Sequence, residues 1–169
     1  IAGLAMSSWA PLIPFVKTRL NLNDSTLGLL LFCIAAGSML IMPFIGSIIK
    51  KFGCRRLIIL GVLGLAVDLP LLMLFDPRSP MVMSLLLFGM FNGMLDVAMN
   101  AHAVVVEQES GQAKMSGFHG FYSIGSIVGA GSVSLFLWLD ATPLLSVCAI
   151  SVLLALLLAT YSRYILPKQ

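Results

Sequence analysis

Six apolar runs separated by short polar stretches set the pattern of this chain, at residues 1–16, 27–49, 57–75, 81–106, 115–139 and 144–164. The last five are each long enough to cross the roughly 30 Å hydrocarbon core of a bilayer as a helix. The first is too short as it stands and reads as the tail of a spanning helix that begins earlier. The pattern predicts an all-α integral membrane protein with one helical domain over residues 1–169.

The punctuation between the runs fits helix ends. Residues 17–23 read as a polar loop, and Asp24, Ser25 and Thr26 offer N-cap chemistry for the second helix. Residues 76–80 and 140–143 read as capped turns, with Pro80 suited to a first helical turn. Pro43 is expected to kink the second helix. Pro11 and Pro14 bend the first segment and free backbone carbonyls. Inside a membrane such irregular backbone belongs beside a cavity rather than beside lipid. Trp9 lies in this segment and either lines that cavity or anchors at the interface.

Composition sharpens the class. Apolar residues make up 59% of the chain and charged residues 10%, which leaves too little polar surface for a soluble domain. The three cysteines, Cys33, Cys54 and Cys148, have no metal or disulfide spacing, and no cofactor is expected. Charge instead gives orientation. Residues 46–56, GSIIKKFGCRR, hold 4 of the chain's 10 Lys and Arg residues between two apolar runs. A basic elbow of this kind belongs on the cytoplasmic side. Gly46 and Gly53 are expected to allow close helix approach and a tight turn. Alternation then puts Lys50, Lys51, Arg55, Arg56, Lys114, Arg163 and Lys168 inside, against Lys17, Arg19 and Arg78 outside. The amino terminus falls on the cytoplasmic side. The net charge of +3 follows these loops, and nucleic acid is not an expected partner.

The elbow resembles the signature loop between the second and third helices of major facilitator superfamily transporters. Gly46, Lys51, Gly53, Arg55 and Arg56 fit that pattern, while Lys50 stands where the family usually has an acid that helps latch the two halves. The resemblance covers essentially the whole chain and implies the amino-terminal six-helix half of such a transporter, built as 3+3 inverted repeats with the first helix truncated. A second six-helix half is then a partner, and the first and fourth helices are counterparts that line the central cavity. The DVAMNA run at 96–101 and the FHG run at 118–120 resemble bacterial permeases loosely related to proton-coupled fucose permeases. That resemblance implies a multi-pass protein of a bacterial inner membrane.

The residues that could carry chemistry lie on the fourth and fifth helices. Asn92, Asp96 and Asn100 recur every four residues, so they share one face of an otherwise apolar helix. A carboxylate at the bilayer centre costs roughly 2.5–3.5 kcal/mol, which makes Asp96 a candidate proton carrier. Asp68 is the other intramembrane acid and reads as a structural partner or a water-reached acid ahead of a coupling residue. On the fifth helix Ser116, His119, Ser123, Ser126 and Ala130 share a small, polar face, and Gly125 and Gly129 form a GxxxG pair. His119 is placed about level with residues 101–105, and His102 on a different face from Asp96.

The expected function is secondary transport of a small polar solute, coupled to protons, by alternating access. Asp96, Asn92, Asn100, His119 and Trp9 form the expected solute and proton pathway. The expected gate motif is Gly46, Lys50, Lys51, Gly53, Arg55 and Arg56. A drug/proton antiporter stays open, although the fifth helix lacks a Gly-Pro step and the fourth lacks an arginine. So does a non-transporting receptor or scaffold that reuses the fold. No HExxH or GxSxG motif points to an enzyme.

Overall fold

The computed structural model describes residues 1–74 and 78–165, apart from the side chain of Arg78. The chain forms α1 (Ala2–Ser7), a 3-10 turn (Ala10–Leu12), α2 (Ile13–Arg19), α3 (Asp24–Phe52), α4 (Cys54–Leu74), α5 (Arg78–Ser110), α6 (Met115–Trp138), α7 (Pro143–Tyr161) and a closing 3-10 turn (Ser162–Tyr164). Among the described residues 5 helices are long and apolar enough to cross a membrane. The broken first segment, α1 to α2, runs with them as the sixth member of the bundle. The architecture is therefore an all-α membrane bundle.

The first segment breaks for local reasons. Pro11 and Pro14 have no N–H to donate, and the Ser8 hydroxyl donates back to the Leu4 carbonyl at 2.6 Å. Pro14 then sits in the first turn of α2, where a missing N–H costs little. The helix continues through Lys17 to Arg19, so the polar loop expected at 17–23 shrinks to its last few residues. Cations in a last helical turn favour the helix dipole, and polarity there did not mean loop. The cap of α3 also moves by one residue: the Asn23 side chain accepts from the Thr26 N–H at 2.8 Å. Helix α3 stays one helix through Pro43.

The elbow is tighter than a loop. Helix α3 runs through Lys50 and Lys51 to Phe52, and α4 starts at Cys54. Gly53 alone separates them, at φ 80° and ψ 155°. Gly46 lies inside α3 with open space where a side chain would be, so the close approach expected there is not made within the described residues. At the other end of α4, the turn expected at 76–80 lies partly outside the described residues, and 78–80 already belong to α5. The turn at 140–143 is capped as expected, Thr142 accepting from the Leu145 N–H at 3.2 Å.

Two close crossings organise the bundle. Helix α3 lies along α5, with Gly37 against the Leu86 carbonyl and Gly89 against the Ile34 carbonyl. Helix α1 lies along α6 in the same manner, with Gly129 against the Leu4 carbonyl and Gly3 against the Tyr122 carbonyl. In both, each helix offers a glycine to the other's backbone, which permits contact closer than any Cβ allows. The second span meets the fourth as the fifth meets the first. That reciprocity is what two inverted three-helix units produce. Helix α4 packs on α5 and α7 and completes the core around Leu65, Leu69, Leu72, Phe88, Ile150 and Leu154, all buried.

Candidate functional site

Met94 and Ala98 pack with Ile45 and Leu57 near the elbow end of the bundle. Two residues away in either direction along a helix lies the opposite face, so Asp96 points away from that cluster and is exposed. Its carboxylate is held within α5. Asn100 Nδ2 donates to the Asp96 carbonyl at 2.9 Å and to Oδ1 at 3.2 Å. Asn92 and Asn100 are half-exposed on the same side. The expected polar stripe is thus present, on a face that neither α3 nor α4 covers at this level.

The other candidates sit elsewhere. His119 is exposed, and its carbonyl accepts from the Ser123 hydroxyl at 3.1 Å. Trp9 is 4% exposed and packed in the core cluster, its Nε1 without a hydrogen-bond partner among the described residues. No hydrogen bond among the described residues ties Asn92, His119 or Trp9 to the Asp96–Asn100 pair.

A cavity of about 310 Å³ does open between α1, α5 and α6. Met99, His102, Ala103, Phe118, Phe121 and Tyr122 are among its walls. The level expected for the two helices holds, since residues 118–122 face residues 99–106. The histidine that reaches this cavity is His102 rather than His119, and His102 Nδ1 is buried without a hydrogen-bond partner among the described residues. His102 stands off the Asp96 stripe, and for that reason polar periodicity did not mark it.

At the elbow, Lys50, Lys51 and Arg56 are exposed and Arg55 is half-buried. Lys51 Nζ stands 5.3 Å from the Phe52 ring centre. None of the four pairs with a carboxylate among the described residues. Glu107, seven residues beyond Asn100 on α5, turns to the next helix. Its Oε1 accepts from the N–H groups of Lys114 and Met115 at 2.5 and 2.7 Å. At the opposite end Arg19 donates from Nη1 to the Met73 carbonyl, and from Nη2 to the Leu72 carbonyl at 3.0 Å.

The elbow geometry and the reciprocal crossings agree with sequence comparison. The sequence profile of the Major Facilitator Superfamily matches residues 1–169. The chain belongs to the Major Facilitator Superfamily. An uncharacterized MFS-type transporter of Yersinia pestis is 52% identical over 166 residues, 98% of this chain and 43% of that protein. The membrane protein MosC of Rhizobium meliloti is 36% identical over 129 residues, 76% of this chain and 32% of MosC. Multidrug resistance protein 2 of Bacillus subtilis is 26% identical over 133 residues, 78% of this chain and 33% of that protein. The chain spans less than half the length of these relatives. As a Major Facilitator Superfamily chain it is a multi-pass membrane protein, and its bundle has the six-segment form of one half of such a transporter.

Proposed function

We propose that this chain is the amino-terminal half of a proton-coupled secondary transporter for a small polar solute, sugar-like or organic acid. The observation that carries the reading is the exposed Asp96–Asn100 pair, with Asn92, on a face of α5 left open at that level. A second six-helix half would close over that face and enclose the solute between the two. Asp96 exchanges a proton as solute binds, and Asn92 and Asn100 hydrogen-bond its hydroxyl or carboxylate groups. The elbow, with Gly46, Lys50, Lys51, Gly53, Arg55 and Arg56, belongs to the cytoplasmic gate. The count of basic residues supports a cytoplasmic amino terminus, and the membrane we propose is a bacterial inner membrane.

The test uses the full-length transporter in inverted membrane vesicles with an internal pH dye and a panel of sugars, organic acids and drugs. A solute-triggered pH change that disappears in Asp96→Asn is the expected result. A solute-triggered change that survives the substitution removes Asp96 from the proton path.

The cavity beside His102 favours a second reading. Its walls are mainly apolar and aromatic, which suits an amphipathic compound. Likeness to Multidrug resistance protein 2 of Bacillus subtilis points the same way. Efflux of drugs, and no response to sugars or organic acids, is the outcome that selects this reading.

A further inference from the structure

Asp68 is an acid that the proposed pathway does not use. It is 3% exposed, within α4 and about 9 Å before the end of that helix at Leu74. Ser84, on α5, donates its hydroxyl to Asp68 Oδ1 at 2.5 Å. Asp68 Oδ2 is buried and has no hydrogen-bond partner among the described residues. A shallow groove of about 340 Å³ borders this residue, and its other walls are Leu60, Leu63, Gly64, Val67, Leu71, Leu87 and Phe91. Leu60, Leu63 and Val67 are exposed apolar side chains, so the surface beside the carboxyl on this side of α4 is apolar.

Among the described residues no cation answers the carboxyl. Helix α5 brings Ser84 to it and carries Asp96, His102, Glu107 and Glu109 three or more turns further on; the side chain of Arg78, at the start of α5, is not described. Helix α7 has no acidic or basic residue, with Cys148 and Tyr161 its only titratable side chains, and α1 has none. Helix α3 carries Asp24 at one end, Cys33 on the way and Lys50 and Lys51 at the other. The nearest described guanidinium is that of Arg19, engaged one turn further along α4 at Leu72 and Met73.

We infer that Asp68 and Ser84 form a proton-binding site, in which Asp68 is held as a neutral carboxylic acid bridging α4 to α5. A carboxylate here would leave one oxygen charged, dry and unpaired, which is the expensive state of a buried acid. A proton on Oδ2 removes that charge, while Oδ1 keeps the Ser84 hydrogen bond. Release passes the proton to water and leaves a carboxylate; uptake reverses this, with no other bond made or broken. Pro70 gives the site some give, because it lacks the N–H that the Ala66 carbonyl would otherwise receive. The site is separate from Asp96, and the inference does not need solute transport to be correct.

The experiment is infrared spectroscopy of the full-length protein in lipid nanodiscs across a pH series, with no solute added. The expected result at neutral pH is a carboxylic acid C=O band that is absent from Asp68→Asn, present in Asp96→Asn and shifted in Ser84→Ala. Alkaline pH should replace this band with carboxylate bands in wild type, a change missing from Asp68→Asn at that frequency. Identical neutral-pH spectra for wild type and Asp68→Asn mean an ionised Asp68 and overturn the inference. A band indifferent to Ser84→Ala overturns the pairing. Asn is nearly isosteric with Asp; if that variant does not accumulate, the shift in Ser84→Ala alone decides, and its absence counts against the site.

Discussion

Glu107 and Met115 lie on consecutive helices, and the carboxylate of the first receives the backbone N–H of the second at 2.7 Å. The same oxygen takes the Lys114 N–H, so one acid near the end of α5 satisfies two of the orphan donors at the start of α6. Charge and dipole act together in this contact. Glu107→Ala is expected to destabilise the α5–α6 turn by about 1–2 kcal/mol. Amide hydrogen exchange at Lys114 and Met115 should speed up, with the α3–α5 crossing unchanged. Unaltered exchange at both amides would show that the cap contributes nothing.

The crossing of α3 and α5 depends on absent side chains. A methyl at Gly89 would run into the Ile34 backbone carbonyl, which cannot swing aside as a side-chain tip can. Gly89→Ala is expected to cost roughly 1–3 kcal/mol through overpacking. Gly46→Ala meets open space in this half and should leave its thermal stability unchanged or slightly raised. Thermal melts of the two variants in the same detergent separate these outcomes. Loss of flux in Gly46→Ala at unchanged stability would locate the second half against that position.

Arg19 holds the end of α4 through the carbonyls of Leu72 and Met73. A guanidinium can engage two acceptors at once, and an ammonium does so less well. Arg19→Lys is expected to lose part of the contact and Arg19→Ala all of it, on the order of 1–3 kcal/mol in the second case. Limited proteolysis near the α4–α5 connection should follow the order Ala, Lys, wild type, fastest first. Equal cleavage in all three would mean that this clamp is dispensable.

The spans were legible because long apolar runs have few alternatives in a membrane protein. Their ends were less so. Lys17, Arg19, Lys50 and Lys51 looked like loop, yet a cation suits the last turn of a helix as well as the connection after it. The stripe on α5 was readable because Asn92, Asp96 and Asn100 repeat at a helical period along one element. Contacts between elements leave no such period. Nothing along the chain ties Ser84 to Asp68, or marks His102 as the histidine beside the cavity, since both depend on how α4, α5 and α6 are rotated about their axes. Trp9 was ambiguous for the same reason: a tryptophan in a broken segment turns inward or outward according to its neighbours.

The single residue between α3 and α4 has a mechanical consequence. Consecutive Cα atoms are held about 3.8 Å apart, so a joint made of Gly53 alone has almost no slack. Its φ of 80° is one that glycine adopts without strain and other residues do not. An axial slide of α3 beyond a few ångströms must therefore be inherited by α4, and a twist of one becomes a torque on the other. The two helices act as a crank whose pin is one glycine. Three extra glycines inserted after Gly53 would turn that crank into a tether, leaving both helices intact while disconnecting the motion of one from the other.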